Sequence, residues 1–334
     1  MPLAPALEGD ARAEFINAAC VPLDRSHASG DLEAAEAILE SHPEIATSDI
    51  HTAAILGDYA TVRRFLDADP ANATVKSAPR GWDALTHLCF SRYLRIGSAR
   101  PANFVSAAQA LLDAGADPNT GFFSNEHQPT PERETALYGA AGIAHHAGLT
   151  RLLLERGADP NDGEVAYHSP EGFDNEALKV LVASGRLTPD TLATMLVRKL
   201  DWTDHDGAAF LLQHGADPNY VSHWGNTALN HSIDRDNSLR FIELLLDYGA
   251  DPMQTSAKGE SAFDIAARMG RGDVLDLFDE RAFAVGLDSM SALLVACARG
   301  DAARVHEMAE RDPALLQRLK SDGGQVLIDF AGAG

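Results

Sequence analysis

Apolar residues recur at three- and four-residue spacing in four stretches that each close on a glycine: AAQALLDAG at 107–115, TRLLLERG at 150–157, AAFLLQHG at 208–215 and LRFIELLLDYG at 239–249. That spacing lays leucines along one face of a helix, and the glycine supplies a left-handed C-terminal cap. Ala-Asp-Pro-Asn follows the glycines at 115, 157 and 215, and Ala-Asp-Pro-Met follows the one at 249. Proline disfavours the α conformation in the residue before it and asparagine tolerates turn dihedrals, so the chain is predicted to leave each helix in a turn or hairpin. Shorter apolar stretches begin after Asp83 in GWDALTHLCF, Thr135 in RETALYGAAG and Thr227 in GNTALNHSI, where the side-chain oxygen is placed to cap a short helix. The unit is turn, short helix, turn, longer helix and glycine stop. Gly215 and Gly249 stand 34 residues apart, a solenoid period.

These residues resemble the ankyrin-repeat pattern of T-P-L-H-x-A-A, a glycine, a leucine-rich helix and G-A-D. Segments 49–69, 135–161 and 227–252 match in register, with His51 at the pattern's histidine. Segment 260–281 matches with Phe263 at the leucine position; 291–312 and the N-terminal HASGDLEAAEAILESHPEIA at 27–46 match more loosely. The resemblance implies an all-α ankyrin-type solenoid of about eight stacked helix-turn-helix repeats with short hairpin turns over 1–334. Its expected parts are an N-terminal capping repeat at 11–46, central repeats at 49–281 and C-terminal repeats at 289–334. VLIDFAGAG at 326–334 reads as the first helix of a further repeat, to be expected either as a helical cap or as a repeat that is cut short.

Composition narrows the partners. Lys plus Arg total 27 against 49 for Asp plus Glu, a net charge of -22, which repels phosphate backbones and anionic lipid; neither nucleic acid nor membrane is expected as a partner. Cys20, Cys89 and Cys297 are scattered, as small buried side chains in a reducing compartment would be. No apolar run approaches a membrane span, and a cytoplasmic location is the expectation.

Departures from the repeat pattern are where function is sought. The pattern is lengthened at 92–103 (RYLRIGSARPAN), at 120–134 (TGFFSNEHQPTPERE, with Phe122, Phe123 and His127) and at 198–207 (RKLDWTDHDG). It is contracted at 163–185, where Tyr167 and His168 precede Pro170. All three tryptophans and nine of the thirteen histidines lie between 82 and 235. The resemblance implies that partners bind a concave face made by the short helices and hairpins. Projected there, Trp82, His87, Tyr138, Tyr167, His168, Trp202, His205, His223, Trp224 and His231 are candidate binding residues, and aromatic side chains of this kind anchor interfaces. Tyr138 and Asn230 also fall at the pattern's own histidine position, where bonding to a neighbouring turn is the competing role. For Trp82 and Trp224, packing onto an adjacent turn competes with partner contact.

Motifs for chemistry are weak. DWTDHDG at 201–207 fails as a calcium loop, because its glycine register puts Trp202 at the first ligand position and Gln213 at the twelfth. No linear zinc, nucleophile or phosphate-loop motif occurs, so no metal and no cofactor is expected and a catalytic residue is unassigned. Two sets could converge without a linear motif: His168, His205 and His231 for a metal, and Lys199, Tyr167 and His205 for acid-base work. The expected function is a non-catalytic module that recognises a protein partner. The alternative is a small-molecule binder or enzyme in the groove, with the inserts at 92–103 and 120–134 folding over His87, His168 and His205 as lids.

Overall fold

The computed structural model describes residues 11–97, 99–100, 102–124, 131–283, 288–321 and 328. His127 and nearly all of the 326–334 segment lie outside the described residues. The chain divides into two compact units, Met1–Leu187 and Thr188–Gly334. Each is a stack of paired helices, and the fold is an all-α solenoid.

The first unit contains α1 (Ala11–Ala19), α2 (Glu33–Ser41), α3 (Ile50–Ile55), α4 (Tyr59–Ala68), α5 (Ala84–Cys89), α6 (Arg92–Ile96), α7 (Phe104–Asp113), α8 (Ala136–Tyr138), α9 (Ala147–Glu155), α10 (Gly163–His168) and α11 (Glu176–Ala183). Short helices stack on short helices, α3 on α5, and long on long, α4 on α7 and α9 on α11. The contact faces are rich in alanine, including Ala53, Ala84, Ala107 and Ala140, whose small side chains let backbones approach. The lengthened turn at 120–134 forms the hairpin of β1 (Gly121–Ser124) and β2 (Glu132–Thr135), paired antiparallel with Phe122 opposite Glu134. After α8 the helix widens into a π turn over Gly139–Ile143.

The second unit contains α12 (Pro189–Asp201), α13 (His205–Gln213), α14 (Ala228–Asp234), α15 (Leu239–Asp247), α16 (Ala262–Arg268), α17 (Gly272–Glu280), α18 (Ser289–Ala298), α19 (Ala302–Arg311) and α20 (Pro313–Ser321). Here α12, α14, α16 and α18 stack as one layer, and α15 packs on α17 behind it. Leu293, Met308 and Leu315 make a small core at the C-terminal end of the described residues.

The local signals work as the pattern anticipates. Asp83, Thr135 and Thr227 each cap a short helix, accepting from the amides of Thr86, Tyr138 and Asn230. Gly115, Gly157, Gly215 and Gly249 all have φ between 86° and 101°, the left-handed region a C-terminal cap requires. The asparagine has a further task. The Asn219 side chain donates to Gly249 O (2.8 Å) and accepts from the Asp251 amide (2.7 Å), and Asn119 does the same to Gly157 O (3.3 Å) and the Asp159 amide (2.9 Å). Each asparagine thus clamps the turn of the repeat that follows it.

Candidate functional site

Trp82, His87 and Tyr138, expected on an open face, are buried in the first unit. Trp82 and Tyr138 are each 3% exposed and His87 is fully covered. The cause is a cover that no ordinary repeat carries. From the hairpin, Phe122 stacks on Trp82 with centroids 4.3 Å apart and planes 24° apart, and it meets Phe90 edge-on at 5.0 Å. From the N-terminal side, Arg80 lies over the Trp82 ring and donates to Val21 O. The His87 ring sits 5.3 Å from Trp82 and 5.4 Å from His51, and its Nδ1 lies 2.9 Å from Asp83 O. Burial among these rings lowers the His87 imidazole to about 3, so it is neutral.

The connection between α1 and α2 completes the cover. Val21 N donates to Phe90 O (3.0 Å), Cys20 bridges Ser91, and the His27 side chain reaches Tyr138. His27 Nδ1 stands 3.2 Å from a Glu134 carboxylate oxygen and 3.3 Å from the Tyr138 hydroxyl, with the Phe90, Phe122 and Tyr138 rings 6.1–6.5 Å from its own. The insertion at 92–103 is no lid. Arg92 donates to Ala18 O, Arg95 to Gly30 O and Arg100 pairs with Glu36, so it fastens the α1–α2 segment. His27, Phe122 and Glu134 thus belong to the centre of this face, yet only Phe122 stood out in sequence. In sequence His27 reads only as the first residue of the loosely matching N-terminal segment at 27–46.

At the contracted repeat, His168 lies between Glu171 (3.1 Å) and Glu164 (3.3 Å), against the Tyr138 ring at 5.2 Å. Burial alone would lower this imidazole, but hydrogen bonds and charge from Glu164 and Glu171 push it up to about 9. Gly142 makes room, since a Cβ there would stand 2.7 Å from the Tyr138 ring and 3.0 Å from His168 Cβ. Tyr167 beside it is exposed and meets the His168 ring edge-on at 4.9 Å.

In the second unit Trp202, His223 and Trp224 are exposed, and His205 and His231 are partly buried. Trp202, at the C-terminal end of α12, is 40% exposed, and Trp224, in the turn before α14, is 43% exposed with the His223 ring tilted against it at 3.8 Å. At the C-terminal end of α12, Asp201 receives His231 Nε2 (2.7 Å), Arg235 (2.9 Å) and Arg198 (2.7 Å). Burial would raise the Asp201 carboxyl, and these partners, His231 foremost, hold it below its ordinary value. His205 packs beside Phe241 at 5.5 Å. Lys199 is fully buried and paired with Asp204 at 2.8 Å, which withdraws it from any acid-base set at the surface. Among the described residues no group of three or more His, Cys, Asp or Glu is arranged to hold a metal ion, and no helix is long and apolar enough to cross a membrane.

Comparison with known proteins points one way. Residues 211–266 match a family model described as "Ankyrin repeats (many copies)". A putative ankyrin repeat protein L92 of Acanthamoeba polyphaga mimivirus is 35% identical over 72 residues, and an ankyrin repeat and LEM domain-containing protein 1 homolog of Caenorhabditis elegans is 39% identical over 64. These matches cover 22% and 19% of this chain and only 17% and 9% of those proteins. Among solved structures, the human ASB11 ankyrin repeat domain aligns at TM-score 0.49 and 25% identity, covering 65% of this chain and 90% of that domain. The Bcl-3 ankyrin repeat domain aligns at TM-score 0.47 and 24% identity, covering 65% and 96%.

Proposed function

Because the chain is an ankyrin-repeat protein, of a kind that generally mediates protein–protein interaction, we propose that it is a non-catalytic binding module whose partner is a protein engaged by the second unit. The observation that carries this reading is the exposure of Trp202 and of the adjoining His223–Trp224 pair, large side chains that the helix stack there leaves open to solvent. Rings held on capped helices and tight turns lose little freedom on association. Beside Trp202, His231, Asp201 and Arg235 give the surface fixed hydrogen-bonding direction. The net charge of -22 favours a partner with a basic or neutral patch over nucleic acid or anionic membrane, and the compartment proposed is the cytoplasm.

The test is cross-linking capture with purified wild-type protein and a Trp202→Ala/Trp224→Ala variant, each checked for unchanged circular dichroism and melting temperature. A defined protein captured by the wild type and lost in the folded variant supports the reading. Equal capture by both would sink it.

A further inference from the structure

The covered face of the first unit has a specific construction. Over residues 23–32 the chain makes no helix longer than a turn, and Leu23, Asp24, Arg25, Ser26, Ala28, Gly30 and Asp31 are exposed. One side chain in those ten residues is buried: His27. It enters a pocket built by residues far along the chain, with Phe90 from the end of α5, Phe122 and Glu134 from the hairpin, and Tyr138 from α8. A segment of the fold proper buries a periodic stripe of side chains. A docked peptide is held by one anchor in a pocket, with exposed residues on either side.

We propose that the pocket around His27 is a side-chain binding site for an extended, histidine-bearing peptide, filled here by the chain's own residues 23–32, which act as a removable internal competitor. The pocket suits an imidazole. Aromatic walls stand 6.1–6.5 Å from the ring on three sides, and the Glu134 carboxylate and the Tyr138 hydroxyl both meet one nitrogen, Nδ1. The two insertions divide the work. The hairpin supplies the pocket's wall and its charge, and α6 with the residues after it ties down the flanks of the strap through Arg92, Arg95 and Arg100. Tethering keeps the strap at an effective concentration on the order of millimolar, so a peptide in trans is shut out while His27 is seated.

The experiment uses the whole chain. Hydrogen exchange of residues 21–32 is compared between the wild type, His27→Ala and Glu134→Gln; the second variant leaves the strap's own sequence intact. A labelled peptide of residues 22–32 (PLDRSHASGDL) is then titrated to about 1 mM against all three, beside the same peptide carrying His27→Ala. Exchange of the strap should rise about tenfold or more in both variants, while α3, α5 and α8 keep their protection. The histidine peptide should bind His27→Ala protein, whose pocket is empty and intact, and should bind neither the wild type nor the Glu134→Gln protein appreciably. Unchanged strap exchange in both variants, loss of protection throughout the first unit, or no preference for the histidine peptide overturns the proposal. None of these outcomes bears on Trp202 or Trp224, so it stands or falls apart from the partner surface of the second unit.

Discussion

The same kind of side chain meets opposite fates in the two units. Trp82 and Tyr138 are sealed beneath a hairpin and an N-terminal strap, whereas Trp202 and Trp224 stand open beside helices whose connections carry no such cover. Trp82 and Trp224 share residue type and repeat position, each in the turn before a short helix; what differs is a chain segment packed on top. An aromatic residue on the short-helix layer is therefore a packing element or an interface element according to what its neighbours insert.

Breaking that contrast starts with its largest effect. Trp82→Ala leaves a void against Phe90, Phe122 and His87 and should destabilise the first unit by about 3–5 kcal/mol, read by denaturant unfolding with hydrogen exchange assigning the loss. An effect no larger than that of Trp202→Ala would erase the difference between the units.

The first unit should also show a pH signature. The folded His168 binds its proton more tightly than its ordinary value of 6.5 allows, so its contribution is complete below about pH 6.5 and is lost as pH rises through about 9. His168→Gln should remove that alkaline loss, about 1–3 kcal/mol given partial exposure, measured as the difference between the stability profiles of wild type and variant. His87 acts with opposite sign. Its lowered value makes its contribution complete above 6.5 and lost as pH falls towards about 3. A profile for His168→Gln that still parallels the wild type between pH 6.5 and 9 would refute the ion-pair account.

Smaller effects sharpen the picture. Asn219→Ala removes two hydrogen bonds to the following turn and should cost about 1–2 kcal/mol, with exchange rising around Gly249 to Asp251. Trp202→Ala and Trp224→Ala should change stability by no more than about 0.5 kcal/mol each, while removing partner capture. A large stability loss there would reassign both rings to the core.

The repeats were legible in the sequence because each is a local signal: a cap at Thr135 or Thr227, a leucine stripe, a glycine with positive φ. The hairpin's strands, the π turn after Tyr138 and the seat of His27 were not. The hairpin and the π turn depart from the repeat period, and the seat of His27 depends on Tyr138, 111 positions along the chain, which no local period records. Trp82 and Trp224 both precede a short helix and read alike in sequence; the cover on the first, with Phe122 stacked on the ring and Arg80 over it, separates them. Lys199 likewise gave no sign that Asp204, five residues on, would draw it inside.

The asparagine clamp has a direction, from one repeat to the next, and in the second unit it ends at a visible place. In the turn that Asn219 grips, the equivalent position is Met253, which carries neither the amide donor nor the carbonyl acceptor. Under a stretching force the stack has a seam at that position. An optical trap pulling on the second unit should find the helices after Met253 yielding first, and a methionine-to-asparagine exchange there should raise the rupture force and move the first break elsewhere.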